Sequence, residues 1–371
     1  MKSDIRDAAG TPADRVKLFL ARTLGSDPTD VTTGWEDVLI AEGTARWATA
    51  TGDERAAVWA RRWADHHLGV PIRNEPIHIA SYTRGTERTR GIVLYDYCGN
   101  WGAPLALAPL VTIDDDRVMR ETVRTVADFI IDGSVRGEDG VILHGSAQPT
   151  VWVDTLYYTA APLAAAFAVI GDRRYAEEAV AQCLLHAKHL RDETTGLFFH
   201  DAHPVTGRRT QWFWGRGNGW IVMSLAETLA SCPPDTPGWN DVLAIYRSLV
   251  TGLLRLQHPS GLWRIIPENP ESHLETSGSA MILRGILRGV LEDWLEPGTA
   301  SAILRGAREV ASFIRPNGPL TGALMGSQRP AGPGGWERHK YVELGECTYT
   351  TGSFLALLAL LTEAGLDLAT Q

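Results

Sequence analysis

Gln211-Trp212-Phe213-Trp214-Gly215-Arg216-Gly217-Asn218-Gly219-Trp220 runs directly into Ile221-Val222-Met223-Ser224-Leu225-Ala226. A loop rich in tryptophan and glycine thus becomes an apolar helix without a break. A core segment has no need of Arg216 and Asn218, and a solvated loop has no need of three tryptophans. Rigid aromatic faces beside a fixed cation suit a ligand that is flat on one side and anionic at one end. The stretch reads as the entry of a helix whose N-terminus lies at a binding site.

Outward from this stretch, apolar residues recur at helical spacing almost throughout, and runs with strand-like alternation are short. The pattern predicts about twelve helices: near 13–24, 36–51, 54–68, 100–111, 115–132, 154–170, 172–190, from 217, 238–257, from 275, from 297, and from 348 to 366. Two kinds of connector alternate between them. Gly52-Asp53-Glu54-Arg55 and Gly171-Asp172-Arg173-Arg174 are short, each with a glycine stop and an aspartate suited to cap the next helix. Longer connectors carry a turn glycine and a short strand-like run. They are Asp139-Gly140-Val141-Ile142-Leu143-His144, Thr195-Gly196-Leu197-Phe198-Phe199-His200 and Ser260-Gly261-Leu262-Trp263-Arg264. Alternating short and long connectors describe repeated helical hairpins, and six hairpins closed in a ring make an (α/α)6 barrel. The fold expected is therefore all-α, with residues 1–371 in a single (α/α)6-barrel domain.

In such a barrel every long connector leads into the N-terminus of an inner helix, so those N-termini share one mouth. The expected mouth gathers Trp35, Asp37, Asp96, Asn100, Asp154, Arg216, Trp220, Glu275 and Glu346. Asp154 follows the apolar run Val151-Trp152-Val153 and precedes Leu156-Tyr157-Tyr158. It reads either as a helix N-cap or as a general acid whose pKa is raised by the flanking aromatics. Asp96, between Tyr95 and Tyr97, is the natural second carboxylate for acid/base work at a sugar. His200 is placed to bind a carboxylate or to orient Asp154. Trp152, Trp212, Trp214, Arg216, Asn218 and Trp220 complete the expected binding surface. Ser272–Ser279 around Glu275 reads as a polar helix entry, and Arg338-His339-Lys340 as a solvated basic run or a lure for anions.

Composition sets limits. Of 371 residues 44% are apolar, enough for a sizeable core, and the net charge is −9, which argues against nucleic acid as a partner. Four widely spaced cysteines without CxxC spacing fit a reduced cytoplasmic protein. The charged start, Met1–Asp7, does not read as a signal peptide, and no apolar run is read as long enough to span a membrane. Walker A, HExxH and GxSxG motifs are absent, and the histidines show no metal-ligand spacing.

Four segments together resemble glycoside hydrolase family 105, the unsaturated rhamnogalacturonyl hydrolases, and the related family 88, the unsaturated glucuronyl hydrolases. They are Val153–Leu156, Asp192–His200, Trp214–Trp220 and Glu275–Met281, of which Trp214–Trp220 is the most specific. The resemblance implies an (α/α)6 barrel that needs no metal or cofactor. It further implies hydration of a 4,5-unsaturated uronic acid at the non-reducing end of an oligosaccharide left by a polysaccharide lyase. Asp154 would protonate C4 of the vinyl ether and then help water to add at C5. Asp96 maps to the family's second aspartate, and His200, Arg216 and Trp220 map to sugar-binding positions. Two segments depart from the family's wording: Asp201-Ala202-His203 after the histidine, and Cys98–Trp101 after Asp96. The competing readings are an inverting glycosidase acting on saturated uronides, a sugar epimerase or isomerase, and a non-catalytic carbohydrate-binding barrel. The chain is expected to act as a monomer or homodimer.

Overall fold

A computed structural model describes residues 10–74, 90–326 and 342–368. Its helices fall into two sets that alternate along the chain. The inner set comprises α2 (Val38–Thr51), α4 (Ala103–Ile113), α6 (Val153–Tyr157) continued by α7 (Ala160–Ile170), α9 (Gly215–Ser231), α11 (Thr276–Leu291) and α13 (Thr348–Glu363). The outer set comprises α1 (Pro12–Leu24), α3 (Glu54–Leu68), α5 (Arg117–Asp132), α8 (Arg173–Leu190), α10 (Trp239–Arg255) and α12 (Thr299–Ser312). Inner helices pack in the order α2, α4, α7, α9, α11, α13, and α13 packs back on α2. The ring is closed, and the (α/α)6 barrel read from the connectors is the fold.

Residue patterns explain the two layers. On α5 the buried residues Met119, Val123, Val126, Ala127 and Ile130 follow the three-to-four spacing of a one-sided helix. Inner helices are buried nearly all round, as α7 shows with Ala160, Ala161, Leu163, Ala164 and Ala166 buried. Their neighbours press on every side. The short connectors act as expected: Gly52 and Gly171 end α2 and α7 at φ of 70° and 80°, a left-handed conformation that glycine adopts without strain. Asp53 and Asp172 then cap α3 and α8 by accepting from Arg55 N at 2.9 Å and Arg174 N at 3.0 Å.

One inner helix differs from expectation. The helix predicted over 154–170 is broken at Tyr158-Thr159 into α6 and α7. Thr159 Oγ1 donates to the carbonyls of Thr155 and Leu156, at 2.9 and 3.2 Å, and Pro162 has no N–H for the Tyr158 carbonyl four residues earlier. This stretch, Val153–Ile170, also reaches the length and apolarity of a membrane span, contrary to the sequence reading, with 67% of its residues buried in the protein.

Paired two-residue strands strap the long connectors. β3 (Val151–Trp152) pairs antiparallel with β4 (Asp201–Ala202), β5 (Trp263–Arg264) with β6 (Leu274–Glu275), and β7 (Ala323–Leu324) with β8 (Leu344–Gly345). A parallel pair, β1 (Arg73–Asn74) and β2 (Val93–Leu94), precedes α4. Trp152 thereby stands opposite Asp201, and Val153 N, just before Asp154, donates to the His200 carbonyl at 3.1 Å.

Ring closure is tight. A side chain on Gly352 of α13 would overlap the Leu39 backbone of α2, and one on Gly43 would overlap the Gly352 carbonyl. Backbone cannot yield as a side-chain tip can. We expect Gly352→Ala to cost about 3 kcal/mol of unfolding free energy, read by urea denaturation, at the upper end of usual overpacking losses. A loss within experimental error would show that the seam has slack.

Candidate active site

The starts of three inner helices, α2, α4 and α6, converge on one pocket. Trp35 reaches it from ahead of α2, Tyr97, Cys98 and Gly99 from ahead of α4, and Asp154 and Tyr158 from α6 and its end. His144 and Trp152 complete the lining from the connector between α5 and α6. The cavity volume is about 30 Å³, room for about two water molecules. Among the described residues, Asp154 is the one carboxylate on this lining.

Asp154 lies inside the first turn of α6, and the N-cap position belongs to Trp152. Capping therefore does not explain the aspartate. Its side chain is 9% exposed, and Oδ2 is buried without a hydrogen-bond partner of good geometry. Burial raises its pKa from 3.8 to about 6, the Arg216 guanidinium and the Trp220 indole pulling the other way with less effect. A carboxyl that keeps its proton to about pH 6 is a usable acid near neutrality.

The walls are aromatic. His144 stacks on Trp152 with ring centroids 4.2 Å apart, and Tyr97 meets His144 edge-on at 5.1 Å. His144 Nδ1 lies 3.0 Å from Thr155 Oγ1 and 3.5 Å from Cys98 Sγ. Trp35 stacks on Tyr349 at 5.5 Å, and its carbonyl accepts the Tyr158 hydroxyl at 2.7 Å. His200 forms the layer behind Trp152, 4.9 Å away, and packs against Trp214 at 4.7 Å and Trp212 at 5.4 Å.

Several residues expected to touch the ligand do other work. Asn218 is fully buried, its Oδ1 accepting from Phe198 N and its Nδ2 donating to the Phe198 and Trp214 carbonyls. It ties the start of α9 to the connector that carries His200. Arg216 is also fully buried: it donates to Ser277 Oγ and to the carbonyls of Leu324 and Gly326, between the rings of Trp214 and Tyr349. Its charge reaches Asp154 through space, while its donors hold the β7 connector to α9. Trp214 and Trp220, 2% and 0% exposed, support the lining and present no open face, whereas Trp152 lines the pocket and Trp212 is half-buried.

The remaining expectations divide. Asp96 is half-buried on the bend before Cys98 and lies outside the pocket lining. Glu275 caps α11, accepting from Ser277 N and Gly278 N, as a polar helix entry does. Asp37 is held by Thr32, and Glu346 pairs with Arg22. Arg338, His339 and Lys340 lie outside the described residues. Among the described residues no group of three His, Cys, Asp or Glu could hold a metal ion.

The structure adds residues that the sequence did not place at the site: Tyr97, Cys98, Gly99, His144 and Tyr158.

The family profile described as Glycosyl Hydrolase Family 88 matches residues 21–359. The unsaturated rhamnogalacturonyl hydrolase YesR of Bacillus subtilis (strain 168) is 26% identical over 262 residues, 68% of this chain and 70% of the relative. An unsaturated 3S-rhamnoglycuronyl hydrolase of Alteromonas sp. (strain LOR) is 28% identical over 144 residues, 38% of this chain and 35% of that one. Among solved structures, a possible member of family 105 from Salmonella enterica serovar Paratyphi A superposes with a TM-score of 0.78 at 20% identity, covering 97% of this chain and 96% of the other.

The burial of Asp154 has a consequence for stability. Unfolded, the carboxyl ionises near 3.8; folded, near 6. Between these values the folded chain keeps a proton that the unfolded chain has lost, so stability falls as pH rises through this window and the loss is complete above it. Asp154→Asn is therefore expected to be more stable than wild type at pH 7, by on the order of 2–3 kcal/mol, with the gap closing by pH 4. Urea denaturation at several pH values checks this, and a gap that does not change with pH contradicts a desolvated carboxyl.

Proposed function

Because the chain belongs to glycosyl hydrolase family 88, we propose that it removes a 4,5-unsaturated uronic acid from the non-reducing end of lyase-generated oligosaccharides by hydrating the double bond. The observation that carries this reading is the single buried carboxyl, Asp154, on an aromatic-walled pocket at the barrel mouth. An inverting glycosidase needs a second carboxylate about 6.5–9.5 Å away across the bond that it cuts. Among the described residues the pocket lining holds Asp154 and no second carboxylate, which favours the hydration route over that alternative. Among the described residues paired histidines, as an epimerase would use, are not arranged around the pocket either: His144 lines it and His200 stands behind Trp152.

The steps derive from the chemistry of a vinyl ether. Asp154 gives its proton to C4, and positive charge develops at C5 and the ring oxygen. The resulting carboxylate then accepts a proton from water as that water adds to C5. The product is a hemiketal, which opens to a ketone and releases the remaining saccharide. One water is consumed, and Asp154 regains its proton. Trp152 and Trp35 are placed to bracket the flattened ring, and stacking is the interaction that aromatic faces give a sugar. Asp96, at the same rim, is assigned an auxiliary role toward the sugar's hydroxyls. The four free thiols, all buried, agree with work in the cytoplasm.

The test is loss of double-bond ultraviolet absorbance from unsaturated galacturonyl and glucuronyl disaccharides in parallel. Wild type is expected to consume at least one, and Asp154→Asn to lower kcat by about 10³-fold, within the range for removal of a general acid. Release of sugar from saturated uronides with no loss of absorbance would overturn the reading in favour of the inverting glycosidase. Binding without turnover of either would leave a carbohydrate-binding barrel.

A further inference from the structure

We propose that Tyr157 is a positioning residue, whose hydroxyl anchors the helical turn carrying Asp154 to a buried carboxylate–guanidinium cluster in the bore of the barrel. This rests on the assignment of Asp154 as the acid. The turn in question, α6, has five residues and breaks at Tyr158-Thr159. A helix this short does not hold its own shape, so its geometry comes from what grips it.

Thr155 meets His144 Nδ1 at 3.0 Å and Val153 N donates to the His200 carbonyl at 3.1 Å, and two further grips come from the α2 side of the barrel. The Tyr158 hydroxyl donates to the Trp35 carbonyl at 2.7 Å, and the Tyr157 hydroxyl donates to Glu42 Oε2 at 2.8 Å. Tyr157 lies three residues after Asp154, one turn along the same helix. Its ring packs on Trp220 at 5.2 Å, with the Arg284 guanidinium 5.9 Å from its centroid.

Glu42 itself is immobilised. It is fully buried and bonded to Arg284 of α11 and, through Oε1 at 2.9 Å, to Arg46 of its own helix. Glu227 of α9 closes the set, 2.9 Å from Arg46 and 3.0 Å from Arg284. Two carboxylates and two guanidiniums thus join three inner helices, and their charges cancel. Buried ion pairs seldom add net stability, because desolvation consumes most of what attraction returns. Their use here is geometric, since Tyr157 passes the fixed position of the cluster up to the turn that holds the acid.

Tyr157→Phe isolates the link: it keeps the ring against Trp220 and removes the bond to Glu42. The groups facing Asp154 are Arg216 from α9, Tyr97 and Cys98 from ahead of α4, Tyr158 from its own turn, and His144 across the pocket. The substitution alters none of them. Asp154 is tracked directly by ¹³C NMR of labelled carboxyls, its signal being the one missing from Asp154→Asn. As the turn loosens and water reaches the carboxyl, its titration midpoint is expected to move down by about half a pH unit, a roughly threefold change in ionisation constant. Loss of positioning is expected to lower kcat about tenfold with KM within about twofold. A tyrosine that served only stability would change the melting temperature and leave the Asp154 midpoint in place, and an unmoved midpoint overturns the proposal. Should wild type leave every unsaturated substrate untouched, the assigned reaction fails, while the NMR titration still decides the anchoring.

Discussion

The structure depends on closing a ring of helices at backbone contact. α13 meets α2 where Gly352 lies against Leu39 and Gly43 against Gly352. The seam between α9 and α11 is similar, with Gly278 against the backbone of Arg216 and Gly285 against that of Val222 and Met223. With larger residues at these points the helices would stand further apart, and the connectors at their N-termini would no longer meet. The pocket is built on that meeting: each lining residue lies in a connector or in the first turns of the helix after it.

Within that frame the chemistry of Asp154 is a contest between burial and charge. Arg216 is near enough to favour the carboxylate, yet burial wins and the pKa rises to about 6. Part of the reason is that Arg216 is already engaged. Its guanidinium faces Ser277 Oγ and two backbone carbonyls, and two aromatic rings flank it. An arginine left free to form an ion pair with Asp154 would have held the carboxyl ionised and useless as an acid. Architecture thus commits the cation to a loop and leaves the aspartate its proton.

Much of this was legible in the sequence because it is local. The Gly-Asp pairs at 52–53 and 171–172 signal a stop and a cap within two residues, and they mark the hairpins correctly. Asp154 was legible because its aromatic neighbours adjoin it in the chain. The partners of Asn218 and Arg216 were hidden for the opposite reason: residue type tells what a side chain can donate, but not which distant carbonyl takes it. His144 could have been found. It stands four residues after the turn glycine Gly140, as His200 does after Gly196, so the repeat that revealed the hairpins also aligned the two histidines. The break after Tyr157 had a signal in Pro162, overridden by the apolar run around it. The cluster of Glu42, Arg46, Glu227 and Arg284 could not be read at all, since its members are up to 242 residues apart.

The convergence of helix starts has an electrostatic meaning of its own. Each inner helix brings the positive end of its dipole, equivalent to roughly half a charge, toward this end of the barrel, and only at α11 does a carboxylate, Glu275, take it up among the helix starts described above. The protein as a whole carries −9, so an acidic sugar is repelled by most of the surface and drawn at this one place. That attraction belongs to the backbone and does not depend on an exposed arginine or lysine. The rim connectors can therefore change residue by residue to suit the saccharide attached to the acidic sugar, and the pull on the acid itself persists as long as the ring holds.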